Sequence, residues 1–215
     1  KEIKVGEEIT YVVRYGFIKL GEVKLKVLNR KVVNSKDVFS TIAYIDSYSG
    51  IPFVDLHQIY YSKVNSSFYS DYFRGLVKKK DYTTFTEYFF DYQKSKIRIK
   101  KGKVEPEELW TDSTTFAESM FHDGLSIFYY ARMNVGKKKS ESLPCFVNEE
   151  KVFTRVNYHE KEKLNIDAVD YDIATVRLDG ETDFVSVFGL TGYFEGWFSN
   201  DEAAVPIIAK MKVII

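Results

Sequence analysis

Cysteine is almost missing from this 215-residue chain. Cys145 stands alone, which excludes an internal disulfide. It leaves the compartment open, because proteins without bridges occur both in the cytosol and among exported proteins. Flanked by Pro144 and Phe146-Val147, the thiol reads as a buried strand residue rather than a nucleophile. Net charge is missing too, since 31 basic and 31 acidic residues cancel. Without an overall positive field, nucleic acid is not an expected partner. No stretch approaches the roughly 18 apolar residues of a membrane helix, so no transmembrane segment is expected. Proline is scarce at four residues, and no Pro/Gly/Ser-rich linker or internal repeat interrupts the chain. One β-rich domain over residues 1–215 is therefore expected. The chain opens on Lys1 without a signal peptide, a start compatible with an export signal removed upstream.

Catalytic signatures are equally sparse. His57, His122 and His159 lie far apart and lack metal-binding spacings. There is no GxSxG elbow, phosphate-binding loop or dinucleotide fingerprint. Asp167, Asp170 and Asp172 lack the Gly and closing Glu of a calcium loop and read as a solvated loop or edge strand. His122 beside Asp123 is the best acid–base pair, and its place at a helix start reads as local capping. No catalytic residue, metal site or cofactor is assigned, and an enzyme is not expected. The lysine runs at 78–80, 100–103 and 137–139 are short and read as solvated surface.

Aromatic residues are what the chain has in quantity: 17 Phe, 16 Tyr and 2 Trp. They suit pleated sheets, and tyrosine also suits a surface that is half apolar and half wet. Ile9, Tyr11, Val13 and Tyr15 alternate with Thr10, Val12 and Arg14, and Val23, Leu25 and Val27 alternate with lysines. That period marks half-buried strands, and Gly16 and Gly21 make residues 8–28 a hairpin. Further strands are expected at 38–46, 58–64, 67–74, 83–92, 95–100, 152–158, 174–178 and 184–188. Such spacing predicts a mainly β fold, an antiparallel open barrel or sandwich. One main helix is expected at about 123–135, capped by Asp123, carrying Leu125, Phe128, Tyr129 and Arg132 on one face and stopped by Gly136. Asp112-Ser113 reads as the cap of a shorter helical turn before it. The chain closes on an aromatic strand through Tyr193 and Trp197, a polar turn at 199–202 and a return strand opened by Pro206.

Four segments resemble a known family. Gly6-Glu7, Tyr11 to Ile18 with Gly21-Glu22, Asp123 to Arg132 with Gly136, and Trp197 to Asp201 with Pro206 are similar to the bacterial exported family catalogued as domain of unknown function 3108. Glu202-Ala-Ala-Val205 occupies the gap in which that family often carries an arginine. The resemblance implies an all-β body in the periplasm or cell envelope and brings no established activity. The closing hairpin also looks like that of periplasmic lipoprotein carriers, a likeness of fold alone.

The functional expectation is a non-catalytic envelope protein that binds or carries an apolar ligand such as a lipid or acyl chain. Tyr11, Tyr15, Phe17, Tyr193 and Trp197 are its candidate lining. Asp123, Arg132, Gly136, Asp201 and Pro206 are assigned to the structural motif. The alternative is a structural module that contacts an envelope protein or glycan through exposed aromatics.

Overall fold

The computed structural model describes residues 1–33, 35–52, 54–137, 139–185 and 190–213. Its strands are long because the sequence alternates over long stretches. The first eight are β1 (Glu8–Tyr15), β2 (Ile18–Val33), β3 (Lys36–Ser47), β4 (His57–Asn65), β5 (Ser70–Lys78), β6 (Thr83–Asp91), β7 (Lys96–Lys103) and β8 (Glu108–Phe116). The helix α1 (Ser126–Asn134) follows, then β9 (Ser140–Val147), β10 (Glu150–Leu164), β11 (Ile173–Thr182), β12 (Leu190–Ser199) and β13 (Pro206–Val213). The fold is mainly β and antiparallel, with one helix among the described residues, as the alternation predicts.

Strands β1 to β8 form one open sheet in sequence order, and β13-β12-β11-β10-β9 form a second. Every neighbour in either sheet is also a neighbour in sequence. Contacts divide the chain into two compact units, Lys4–Ser126 and Lys1–Ile3 with the chain from Ile127 onward. The division falls inside the helix, where no linker-like composition marks it.

Residues 108–116 depart from the sequence reading. Asp112-Ser113 does not cap a helical turn but lies in strand β8, paired with Lys100 and Ile99. Three threonines in that stretch favour the pleat, and the Asp112 carboxylate accepts two bonds from the Arg98 guanidinium at 2.7 and 2.5 Å. Of the strand expected at 184–188, Phe184 and Val185 lie outside any strand. Residues 186–189 fall outside those described.

The helix is shorter than its sequence signal because its first turn belongs to the cap. The Asp123 carboxylate accepts from the backbone N–H groups of Leu125 and Ser126 at 2.7 Å each. Ser126 Oγ accepts from the Asp123 N–H at 2.8 Å, closing a reciprocal capping box. Gly136, at φ +88°, ends the helix in the left-handed conformation that glycine adopts without strain. The face packed on the five-stranded sheet is Ile127, Tyr130 and Ala131, against Leu143, Val156, Leu178 and Phe198. Leu125, Tyr129 and Arg132 are buried as well, so the helix is covered nearly all round. Cys145 is fully buried in β9, where its neighbours predict a packed thiol.

Candidate functional site

In an antiparallel ladder, directly paired residues share a face. Tyr11 pairs with Val23 and Val23 with Ile45. Ala43, two residues from Ile45, pairs with Tyr60, which pairs in turn with Gly75. Phe73, two residues from Gly75, pairs with Tyr88. One face of the eight-stranded sheet therefore carries Tyr11, Val23, Ile45, Tyr60, Phe73 and Tyr88. The rings of Tyr60 and Phe73 lie 5.7 Å apart and those of Phe73 and Tyr88 5.3 Å apart. Gly75 leaves room for them, since a Cβ there would come within 3.1 Å of the Tyr60 ring.

Cover over this face is uneven. Ile45 and Tyr88 are buried, whereas Tyr11, Val23, Tyr60 and Phe73 are half-buried. Burial pushes the Tyr60 hydroxyl up to about 12, and that hydroxyl donates to Gln58 Oε1 at 2.8 Å. Such a ring keeps its proton and acts as an apolar plate with a polar rim. Chemically the face can hold an apolar chain against aromatic rings. The sequence showed these strands as aromatic, but only the register reveals which rings share a side.

Nearer the start of β5, the same face is closed by a polar cluster. Asp123 is fully buried, and its carboxylate accepts from Ser62 Oγ at 2.5 Å and Ser70 Oγ at 2.8 Å. Burial pushes this carboxyl above its ordinary range, against the hydrogen bonds that pull it down. His122 is not part of the cap. Its Nδ1 lies 2.9 Å from the Phe68 carbonyl, and its ring stacks 4.6 Å from Tyr69.

A second constellation lies on the five-stranded sheet. Asp179 meets His159 Nε2 at 2.5 Å, Asn157 Nδ2 at 2.8 Å and Arg177 at 3.4 Å. Arg177 also bonds Glu195 at 3.2 Å. Burial raises the Asp179 carboxyl, but the bonds from Asn157 and His159 and the charge of Arg177 win and hold it below the usual range. These charges satisfy one another across the strands. Among the described residues no group of His, Cys, Asp or Glu could hold a metal ion. No helix there is long and apolar enough to cross a membrane.

The residues named from sequence fall in different places. Tyr11 lies on the aromatic face. Tyr15 is 48% exposed and Phe17 93% exposed, at the tip of the first hairpin. Tyr193 is 48% exposed, its hydroxyl 3.3 Å from Glu195. Trp197 is only 8% exposed; its indole N–H donates to Glu162, and Lys210 Nζ lies 5.0 Å from the ring centroid. The first three belong to the eight-stranded sheet and the last two to the five-stranded one.

The motif residues converge more tightly. Arg132 donates from Nε to the Ala203 and Ala204 carbonyls at 3.1 and 3.2 Å, and from NH2 to Ala203 at 2.7 Å. Asp201 Oδ1 accepts from Ser199 Oγ and from the Ala204 N–H at 2.9 Å each, and Ser199 Oγ accepts from the Val205 N–H at 2.7 Å. Burial opposes ionisation of Asp201, yet these bonds, the Ala203 N–H and Lys1 keep its carboxyl below the usual range. Together they hold Ala204 at φ +44°, a conformation unfavourable for a residue with a side chain. Pro206 then opens β13 opposite Phe198.

A mainly β protein of two antiparallel meanders, with its helix hooked into the last turn, is the class these features define. The family model described as "Protein of unknown function (DUF3108)" matches residues 10–215, and the chain belongs to that family. Neither the curated proteins nor the solved structures gave a match.

Proposed function

We propose that this protein is a non-catalytic binding or carrier protein of the cell envelope that takes an apolar ligand such as a lipid or acyl chain. The observation that carries the reading is the half-buried aromatic face of β1 to β6, where Tyr60 and Phe73 are adjacent and, like Tyr11 on the same face, incompletely covered. Each CH₂ taken from water onto such a face contributes about 0.8 kcal/mol, so part of an acyl chain gives useful affinity. The family likeness of the sequence motifs supports export and an envelope location.

The test is organic extraction and native mass spectrometry of freshly purified protein, followed by titration of the stripped protein with an environment-sensitive apolar dye. Saturable binding is expected, weakened about tenfold by Tyr11→Ser, the loss of roughly two methylene equivalents of contact. No co-purified lipid and no dye binding would end the carrier reading. A second reading, an interaction module for an envelope protein or glycan, is favoured by β8, whose Leu109, Trp110 and Phe116 are exposed.

A further inference from the structure

Phe17 is more exposed than any other large hydrophobic residue described, at 93%, and it sits where a polar residue would be free of penalty. Tyr15 pairs with Ile18 across a two-residue turn whose first position, Gly16, has φ +58°. That turn fits the twist of the hairpin and points its second residue, Phe17, away from the sheet. Tyr15 and Ile18 are exposed beside it. Arg14 and Lys19, the next pair down the hairpin, face each other directly. Like charges opposite one another on a ladder are unfavourable, and neither is in an ion pair among the described residues. From Arg14 to Leu20 there is no acid.

The meander topology brings a second set of such residues to the same end of the sheet. The turn between β5 and β6 presents Lys78, Lys79 and Lys80, all exposed and outside any ion pair among the described residues, followed by Asp81. Tyr82 follows, its ring 6.3 Å from Trp110 and 5.5 Å from Lys103 Nζ. Trp110 is 49% exposed at this end. Asp55 and the glutamates at 105, 107 and 108 lie here too, so the attraction is local to the two basic turns.

We propose that this end of the eight-stranded sheet is a membrane-docking edge. Phe17, with Tyr15 and Ile18, enters the interface of an anionic bilayer while Arg14, Lys19 and Lys78–Lys80 meet lipid phosphates. Exposed aromatic rings are favoured at that depth, and a small apolar insertion needs basic partners for stable attachment. The inference is independent of the carrier reading, because docking at the hairpin tip uses none of the rings of the half-buried face.

Flotation of the full chain with vesicles of phosphatidylcholine alone, or mixed with phosphatidylglycerol, tests it. Wild-type protein should float with the mixed vesicles, less so with the neutral ones, and binding should weaken with salt. Phe17→Ser should weaken partition about tenfold with an unchanged melt, since the ring touches no core. The triple change Lys78→Gln, Lys79→Gln and Lys80→Gln should remove much of the preference for phosphatidylglycerol. Tryptophan emission should shift to the blue on binding, and Trp110→Phe should abolish the shift because Trp197 is buried. Failure of wild-type protein to float, equal flotation of Phe17→Ser, or Phe17-dependent capture only by vesicles containing membrane protein would each overturn the proposal. Dye binding measured without vesicles reads the carrier function separately, and the triple lysine variant should leave it intact.

Discussion

At Asp123 a single carboxyl is asked to be both buried and useful. Its four hydrogen-bond donors favour the charged form, and desolvation outweighs them, so its pKa in the folded protein is raised above 3.8. The contribution of this group to stability is therefore fully present below about pH 4 and is lost as pH rises through the raised value. Asp179 and Asp201, whose carboxyls are held low, act in the opposite sense, losing their contribution as pH falls through their depressed values. The effect of Asp123 is isolated by comparison with Asp123→Asn, whose amide does not titrate. The stability of wild type minus that of the variant, from urea unfolding, should shrink as pH rises above about 4. A difference that widens over that range would contradict the assignment. Tyr158 offers a complementary case. Its buried hydroxyl has no hydrogen-bond partner among the described residues, and burial raises its pKa. Tyr158→Phe removes an unsatisfied group without opening a cavity. It should leave the melt unchanged or raise stability by up to about 1 kcal/mol.

Among the elements, the helix and the closing turn depend on each other. Arg132, at 3% exposure, supplies donors to two carbonyls of a turn that Asp201 and Ser199 bend from the other side. Arg132→Ala should cost about 2–4 kcal/mol, read from thermal or urea melts, because it strips a buried hook and leaves buried carbonyls unpaired. A melt indistinguishable from wild type would show that the turn holds itself. The legibility of these elements from sequence tracks how local their signals are. The cap at Asp123, the stop at Gly136 and the opening of β13 at Pro206 are written within a few residues, and all three are where the sequence puts them. Strand β8 is different. Asp112-Ser113 imitates a cap, and only pairing with β7 makes it a strand. Strand β9 was read only around Cys145, because Pro144 breaks the pattern, and an edge strand tolerates it. The aromatic face was legible as strands and illegible as a face, because a ring's neighbours across three strands are set by register.

For the whole molecule, composition predicts a mainly β chain and topology explains how so many long strands find partners. In both sheets each strand after the first lies beside the one made just before it. The division into two units escapes the sequence because it runs between Ser126 and Ile127, within a helix. The meander carries a kinetic meaning. Pairing with the preceding strand keeps loop closure short, and folds built from near-neighbour contacts search less of conformational space than those built from distant ones. Each sheet can grow at one margin in the order in which its chain is delivered. No strand then waits, unpaired and prone to aggregation, for a partner yet to arrive.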